Sequence, residues 1–128
     1  MLLDTSVLID LQRELAAGHT GPACALLDGH RDQPLWISVV TLGEFAEGFA
    51  DVEGTTLTDL VAGLGLLAID RAVALIYARL SRQMRAEKWR IGDNDIWIAA
   101  TALAHGLCLV TRDTRHMSRI SGLSTMAY

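Results

Sequence analysis

Short apolar runs alternate with helix-patterned segments along the whole chain, and this alternation restricts the architecture more than any other feature. Leu2–Leu3 reads as a minimal strand, followed by a helix over Thr5–Gln12 and a loop from Gly18 to Pro22. A short helix over Ala23–Gly29, a strand at Leu35–Ile37 and a helix over Thr41–Phe49 come next, with a break at Gly54. A helical stretch near Leu57–Leu64 leads to a strand at Leu66–Ile69. The clearest amphipathic pattern then covers Arg71–Glu87, with Val73, Ile76, Leu80 and Met84 on its apolar face. Ile96, Ala99, Ala100 and Leu103 form an i, i+3, i+4, i+7 face, and Gly106 stands where a left-handed helix stop belongs. Leu107–Val110 and Thr125–Ala127 supply the last two strands. Strands joined through helices run parallel with right-handed crossovers, which places helices on both faces of the sheet. The expectation is an α/β fold of three layers, α/β/α, around a short, mostly parallel sheet of four to five strands.

A chain of 128 residues fits one domain, 1–128, and at this size folding buries roughly two-thirds of the unfolded surface. The hydrophobic fraction is 51%, yet only three Trp, two Tyr and two Phe contribute, so the core must be aliphatic and alanine-rich. The longest largely apolar run, Ile96 to Ala104, falls well short of the ~20 residues that span a bilayer. The opening Met-Leu-Leu-Asp has no secretory pattern, so a cytoplasmic home is expected, with no membrane partner. Cys24 and Cys108 lack paired spacing and are expected to be buried free thiols; His19, His30, His105 and His116 show no ligand spacing and read as surface or helix-end residues. Trp36, Trp89 and Trp97 are expected to pack, Trp89 being the least core-like. Net charge is −4 but uneven: residues 1–64 hold ten acids and two bases, residues 65–128 five acids and nine bases. Arg79, Arg82, Arg85, Lys88 and Arg90 carry much of the excess and are candidate phosphate contacts, although a solvated helix face reads equally well.

Four acids, Asp4, Glu44, Asp95 and Asp113, sit just past apolar runs or at helix starts. In an open α/β sheet, loops at the carboxyl ends of neighbouring strands converge on one crevice, so acids distant in sequence can meet there. Each acid taken alone has a plainer reading. Asp4 fits a cap for the helix starting at Thr5. Thr41-Leu-Gly-Glu44 matches a capping box. Asp93 and Asp95 flank Asn94 at a helix start, where one can cap and the other project forward, and periodicity does not say which. Asp113 can cap a short helix through His116 and Met117. Jointly the pattern asks for more, because carboxylates crowded in one crevice repel one another unless a cation neutralises them. Oxygen ligands without His or Cys suit a hard ion, Mg²⁺ or Mn²⁺, singly or as a pair. Such an ion lowers the pKa of bound water and stabilises the leaving oxygen of a phosphodiester, so the residues read as a metal-dependent nuclease. Ser6, Asn94 and Thr111 are candidates for orienting ligands or water, though each is also a common turn or cap residue.

The segments Leu-Leu-Asp-Thr-Ser-Val-Leu-Ile (2–9), Thr-Leu-Gly-Glu-Phe-Ala-Glu-Gly (41–48), Ile-Gly-Asp-Asn-Asp-Ile-Trp-Ile-Ala-Ala-Thr-Ala-Leu (91–103) and Leu-Val-Thr-Arg-Asp (109–113) together resemble the PIN-domain ribonucleases, specifically the VapC toxins of bacterial toxin–antitoxin pairs. The resemblance spans essentially the whole chain, and four motifs in order make it specific. It implies a PIN-like fold and an acidic quartet of Asp4, Glu44, Asp95 and Asp113, with Asp4 and Asp95 as the principal metal ligands. It selects Asp95 over Asp93. It also implies a homodimer, a VapB-type antitoxin and an RNA substrate such as tRNA or ribosomal RNA. Two positions depart from the pattern: only three residues precede Asp4, and the fourth acid, often Asn in these toxins, is Asp113 here. Asp70 also ends a strand, but one that lies at the sheet edge in this family, so it is expected only to cap its helix. Other classes fit less well. A receiver domain needs an acidic pair after its first strand, and a haloacid-dehalogenase-like phosphatase needs an Asp where Ser6 stands. A catalytically silent PIN-like module that binds RNA or protein usually has a broken acidic set, whereas all four acids are present here.

Overall fold

The computed structural model describes residues 1–128 and contains a five-stranded, wholly parallel sheet. In chain order the elements are β1 (Leu2–Leu3), α1 (Thr5–Ala17), α2 (Pro22–Gly29), β2 (Trp36–Ser38), α3 (Val39–Ala46), α4 (Thr55–Val61), β3 (Gly65–Leu67), α5 (Arg71–Ala86), α6 (Asp93–His105), β4 (Leu109–Val110), α7 (Thr114–Met117) and β5 (Thr125–Met126). The strand order is β3-β2-β1-β4-β5, so β1, a strand of only two residues, is central. The three-layer α/β/α expectation holds, with β3, β4 and β5 shorter than the sequence predicts.

Successive residues of a strand face opposite sides of its sheet, so two residues are enough to feed two layers. Leu2 pairs with Leu109 and Leu3 with Val110. Leu2 and Leu109 pack with Val73, Leu80 and Met84 of α5 and with Ile96, Ile98 and Ala99 of α6. Leu3 and Val110 pack on the other face with Val7, Leu8 and Leu11 of α1, Ile37 of β2 and Phe45 of α3. Leu2, Leu3, Leu109 and Val110 are fully buried. The apolar faces read from periodicity in α5 and α6 are the faces that pack.

Several boundaries move, each for a local reason. Helix α1 continues past Gln12 to Ala17 and stops where Gly18 adopts a left-handed φ of 68°. Helix α3 begins at Val39 rather than Thr41, because the Ser38 Oγ accepts the Thr41 N–H at 2.9 Å and so caps the helix two residues early. The capping-box reading of Thr41 and Glu44 is therefore incorrect, and Glu44 is not engaged in capping its own helix. Helix α6 is capped by Gly92 with no side-chain bond, so neither Asp93 nor Asp95 is its cap. Asp70 caps α5, its Oδ1 accepting the Val73 N–H at 2.9 Å. Cys24 and Cys108 are free, but half-buried rather than buried.

Helix α2 is capped from a distance. The buried Glu14 carboxylate accepts the N–H groups of Gly21 at 3.1 Å, Ala23 at 3.0 Å and Cys24 at 2.8 Å. Burial works against its charge, yet the backbone donors prevail and hold its pKa below the ordinary value. A Cβ on Gly21 would lie 2.3 Å from Glu14 Oε1, so this approach requires glycine. Trp36 and Trp97 are partly buried against the α5–α6 side, and Trp97 stacks on Tyr77 at 3.8 Å. Trp89 packs at the same margin beneath the Arg119 guanidinium, 4.1 Å from the ring centre.

Because Leu3 holds the centre of the sheet with a fully buried side chain, Leu3→Ala should cost about 2–5 kcal/mol in urea unfolding. A loss below about 1 kcal/mol would show that the two-residue strand is not central to stability.

Candidate active site

Parallel strands bring their carboxyl ends to one edge of the sheet, and four segments converge there on an open crevice of about 550 Å³. Asp4 follows β1, Asp113 follows β4 after two intervening residues, Glu44 projects from α3, and Asp95 lies in the first turn of α6. All four line this crevice, together with Thr5, Ser6, Ile9, Arg13, Glu47, Asn94 and Arg112. Ile9 is its only hydrophobic residue. A separate groove of about 590 Å³ between α1, α2 and α4 is mainly apolar and contains none of the four acids.

Each carboxylate is held differently. Asp4 is buried: its Oδ1 accepts the Thr5 N–H at 2.8 Å, and its Oδ2 accepts the Thr111 hydroxyl at 2.6 Å and the Ser6 hydroxyl at 3.1 Å. Thr111 in turn accepts the Asp113 N–H at 3.1 Å, and Ser6 accepts the Arg112 N–H at 3.3 Å, tying the β4 loop to the start of α1. Glu44 takes the Thr5 hydroxyl on Oε2 at 2.5 Å and the Asn94 amide on Oε1 at 2.8 Å. Asp113 caps α7 through the His116 N–H at 3.2 Å and contacts His116 Nδ1 at 2.7 Å. This imidazole holds the Asp113 carboxyl below its ordinary pKa against modest desolvation. The helix-end reading of His116 thus omits a contact with the site itself.

Asp95 has no such support, since no side chain donates a hydrogen bond to its carboxylate. Burial raises its pKa first, followed by the negative charges of Asp4, Glu44 and Asp113, with only the Gly92 backbone N–H opposing. The crevice therefore concentrates unneutralised negative charge on Asp95.

The donor set is all oxygen, which fits Mg²⁺ or Mn²⁺ and gives no preference for a softer ion. Three of the acids do not converge at direct-ligation distance of one point. A small hard cation that keeps several waters suits that spacing, because it needs only one or two direct carboxylates. The oxygen donors that Asp4, Glu44, Asp95 and Asp113 bring to the crevice are compatible with such an ion.

The candidate orienting residues Ser6, Asn94 and Thr111 all bond to acids of the crevice. Thr5, which bonds both Asp4 and Glu44, was not singled out in the sequence, although its place beside Asp4 was the available signal. Glu47, a fifth acid of the crevice, lies three residues beyond Glu44 and so on the same helix side. Asp93 turns away to Arg90 and the Tyr77 hydroxyl, leaving the site to Asp95. The five candidate bases, Arg79, Arg82, Arg85, Lys88 and Arg90, are exposed, but none lines the crevice. Arg85 and Arg90 instead donate to the Ser81 hydroxyl, at 3.3 and 3.0 Å. The bases that do line the crevice are Arg13 and Arg112, which the charge count along the sequence did not isolate.

The PIN domain family model matches residues 1–123. The chain belongs to the PIN-domain family. Within it, the chain is 40% identical over 84 residues to Ribonuclease VapC4 of Mycobacterium tuberculosis, a match covering 60% of this chain and 65% of that protein, so slightly under two-thirds of the relative's length. Ribonuclease VapC10 of the same organism is 31% identical over 91% of this chain and 84% of its own length. Among solved structures, VapBC2 from Rickettsia felis bound to a DNA fragment from its promoter superposes with a TM-score of 0.85 at 21% identity, covering 99% of this chain and 97% of that one. The last comparison shows the fold.

Asp95 binds its proton more tightly folded than unfolded, so its contribution to stability is present at low pH and is lost as pH rises above the ordinary carboxylate value of 3.8. In protein stripped with chelator, Asp95→Asn should therefore raise Tm at pH 7.5, and the difference should vanish toward pH 3.5. A lower Tm for the variant at pH 7.5 would contradict the crowded-charge account.

Proposed function

We propose that this chain is an endoribonuclease dependent on Mg²⁺ or Mn²⁺, the toxin of a VapBC-type pair. The observation that carries the proposal is the meeting of Asp4, Glu44, Asp95 and Asp113, from four segments of the chain, in one polar crevice where Asp95 has no neutralising partner. The names of the VapC relatives support the same reading.

Asp4 and Asp95 would hold the ion, and Glu44 and Asp113 would reach it through water. When bound, the ion supplies a water of lowered pKa and stabilises charge on the leaving oxygen of the phosphodiester. The chain's own residues set the geometry. Thr111, Ser6 and the Thr5 N–H fix both oxygens of Asp4, so this carboxylate keeps one orientation as substrate enters. Thr5 and Asn94 clamp Glu44 from two different helices and leave it placed to accept a proton from an attacking water. His116 keeps Asp113 ionised, which preserves a negative charge on the far side of the crevice.

The proposed substrate is structured RNA, tRNA or ribosomal RNA, and the proposed setting is the cytoplasm. A homodimer and a complex with a VapB-type antitoxin are proposed from the family reading, and the solved VapBC2 complex supports the second of these. No helix of the chain is long and apolar enough to cross a membrane.

The test is cleavage of total RNA by purified protein freed of any partner, with Mg²⁺ or Mn²⁺. Asp4→Asn and Asp95→Asn should each lose about 100-fold or more, and EDTA should abolish the activity. Thr111→Val, which removes the donor to Asp4 and the acceptor of the Asp113 N–H, should lose about 10- to 100-fold. Cleavage undiminished in Asp4→Asn would overturn the mechanism, and RNA binding without any metal-dependent cleavage would identify a silent module.

A further inference from the structure

The crevice contains five acids, Asp4, Glu44, Glu47, Asp95 and Asp113, and two bases, Arg13 and Arg112. A polyanion settles beside such a cluster only where positive charge, from a bound cation or from basic side chains, meets its phosphates. The two bases are not scattered over the surface. Asp10, a half-buried residue of α1, joins them: its Oδ2 pairs with the Arg112 guanidinium and its Oδ1 lies 3.7 Å from Arg13. The Tyr128 hydroxyl donates to the same Oδ2 at 2.8 Å, fixing the carboxylate from a third side. Arg112 is also tied to the acidic centre through its own backbone, which donates to Ser6 at 3.3 Å.

Position along α1 gives these two arginines an order. Ser6, Ile9 and Arg13 line the crevice at i, i+3 and i+7, one face of the helix. Ser6 bonds Asp4 at the start of the helix, and at 1.5 Å per residue Arg13 lies about 10 Å further along the axis. Arg112 and Arg13 thus form a basic wall that leads away from the carboxylates, and both side chains remain largely exposed, at 57% and 71%. Their forked donors suit bidentate contact with phosphate.

Resting on the nuclease reading above, we infer that Arg112 and Arg13 grip successive phosphates of the RNA strand beside the cleavage centre, Arg112 nearer the centre and Arg13 further along α1. The bases at 79–90 lie outside this track. Arg112 and Arg13 therefore position substrate and set binding, while the acids carry the chemistry.

The test uses the Asp95→Asn protein, silenced for cleavage, and end-labelled single-stranded RNA of mixed sequence, with affinity measured across a salt series. Each lost phosphate contact should lower the slope of log K against log salt by about 0.7. Arg112→Ala and Arg13→Ala should each show that loss, with affinity about tenfold weaker near 0.1 M salt, and the double variant should show both losses. Arg112→Lys should keep the slope, whereas Arg31→Ala, which removes an exposed arginine paired with Asp28, should change nothing. Unchanged Tm values establish that the variants are folded. RNA binding with an unchanged slope in the double variant would overturn this assignment and leave the nuclease reading intact. Absence of any salt-dependent RNA binding by the Asp95→Asn parent would overturn the nuclease reading and this inference with it.

Discussion

The pairing of β1 with β4 supports both the fold and the site, and it consists of very few contacts. Leu2 and Leu3 lie beside Leu109 and Val110, and the next rung is the Asp4 N–H bonded to the Val110 carbonyl at 3.0 Å. Immediately beyond the pairing, the Thr111 hydroxyl reaches Asp4 Oδ2 at 2.6 Å. The same register that assigns Leu2 and Leu109 to one core, and Leu3 and Val110 to the other, therefore places an aspartate at the sheet edge with a donor already aimed at it. Slipping it by one residue would exchange the two cores and detach Thr111 from Asp4.

From that edge outward, the site is organised by unequal neutralisation. Three of the four acids have their charge compensated by groups of this chain: hydroxyls and an N–H on Asp4, a hydroxyl and an amide on Glu44, and an imidazole on Asp113. Asp95 is enclosed by the other three and has only the Gly92 N–H. Such a group raises the energy of the crevice, and a cation held there, as proposed, would recover that energy. The polar hydroxyls around Asp4 and Glu44 fix ligand directions in advance, which limits the reorganisation left for the binding step.

The sequence revealed the parallel α/β architecture because α5 has an unambiguous amphipathic periodicity, α6 carries a continuous apolar face, and Gly106 ends α6. It also revealed the four acids as a set, since strand-end and helix-start positions are local features. The cap of α3 was hidden because Ser38 lies inside an apolar stretch that reads as strand, and this misassigned Glu44 to a capping box. His116 reads from the sequence as a helix end, although the i, i+3 spacing permits its contact with Asp113. Arg13 and Arg112 escaped notice because clustering in sequence drew attention to residues 79–90, whereas clustering in space depends on which face of α1 meets the β4 loop. The cap of α2 by Glu14 depends on a turn that brings the carboxylate back over Gly21, and no local pattern announces it.

The central claim is that Asp95 carries the charge a divalent cation must satisfy. Its most direct test is the Tm of chelator-stripped protein titrated with Mn²⁺, wild type against Asp95→Asn. Ligand binding to the folded state alone raises Tm by mass action. The account predicts a wild-type Tm that climbs with Mn²⁺ concentration and a variant Tm that stays flat. An equal climb in both proteins, or none in either, would contradict it.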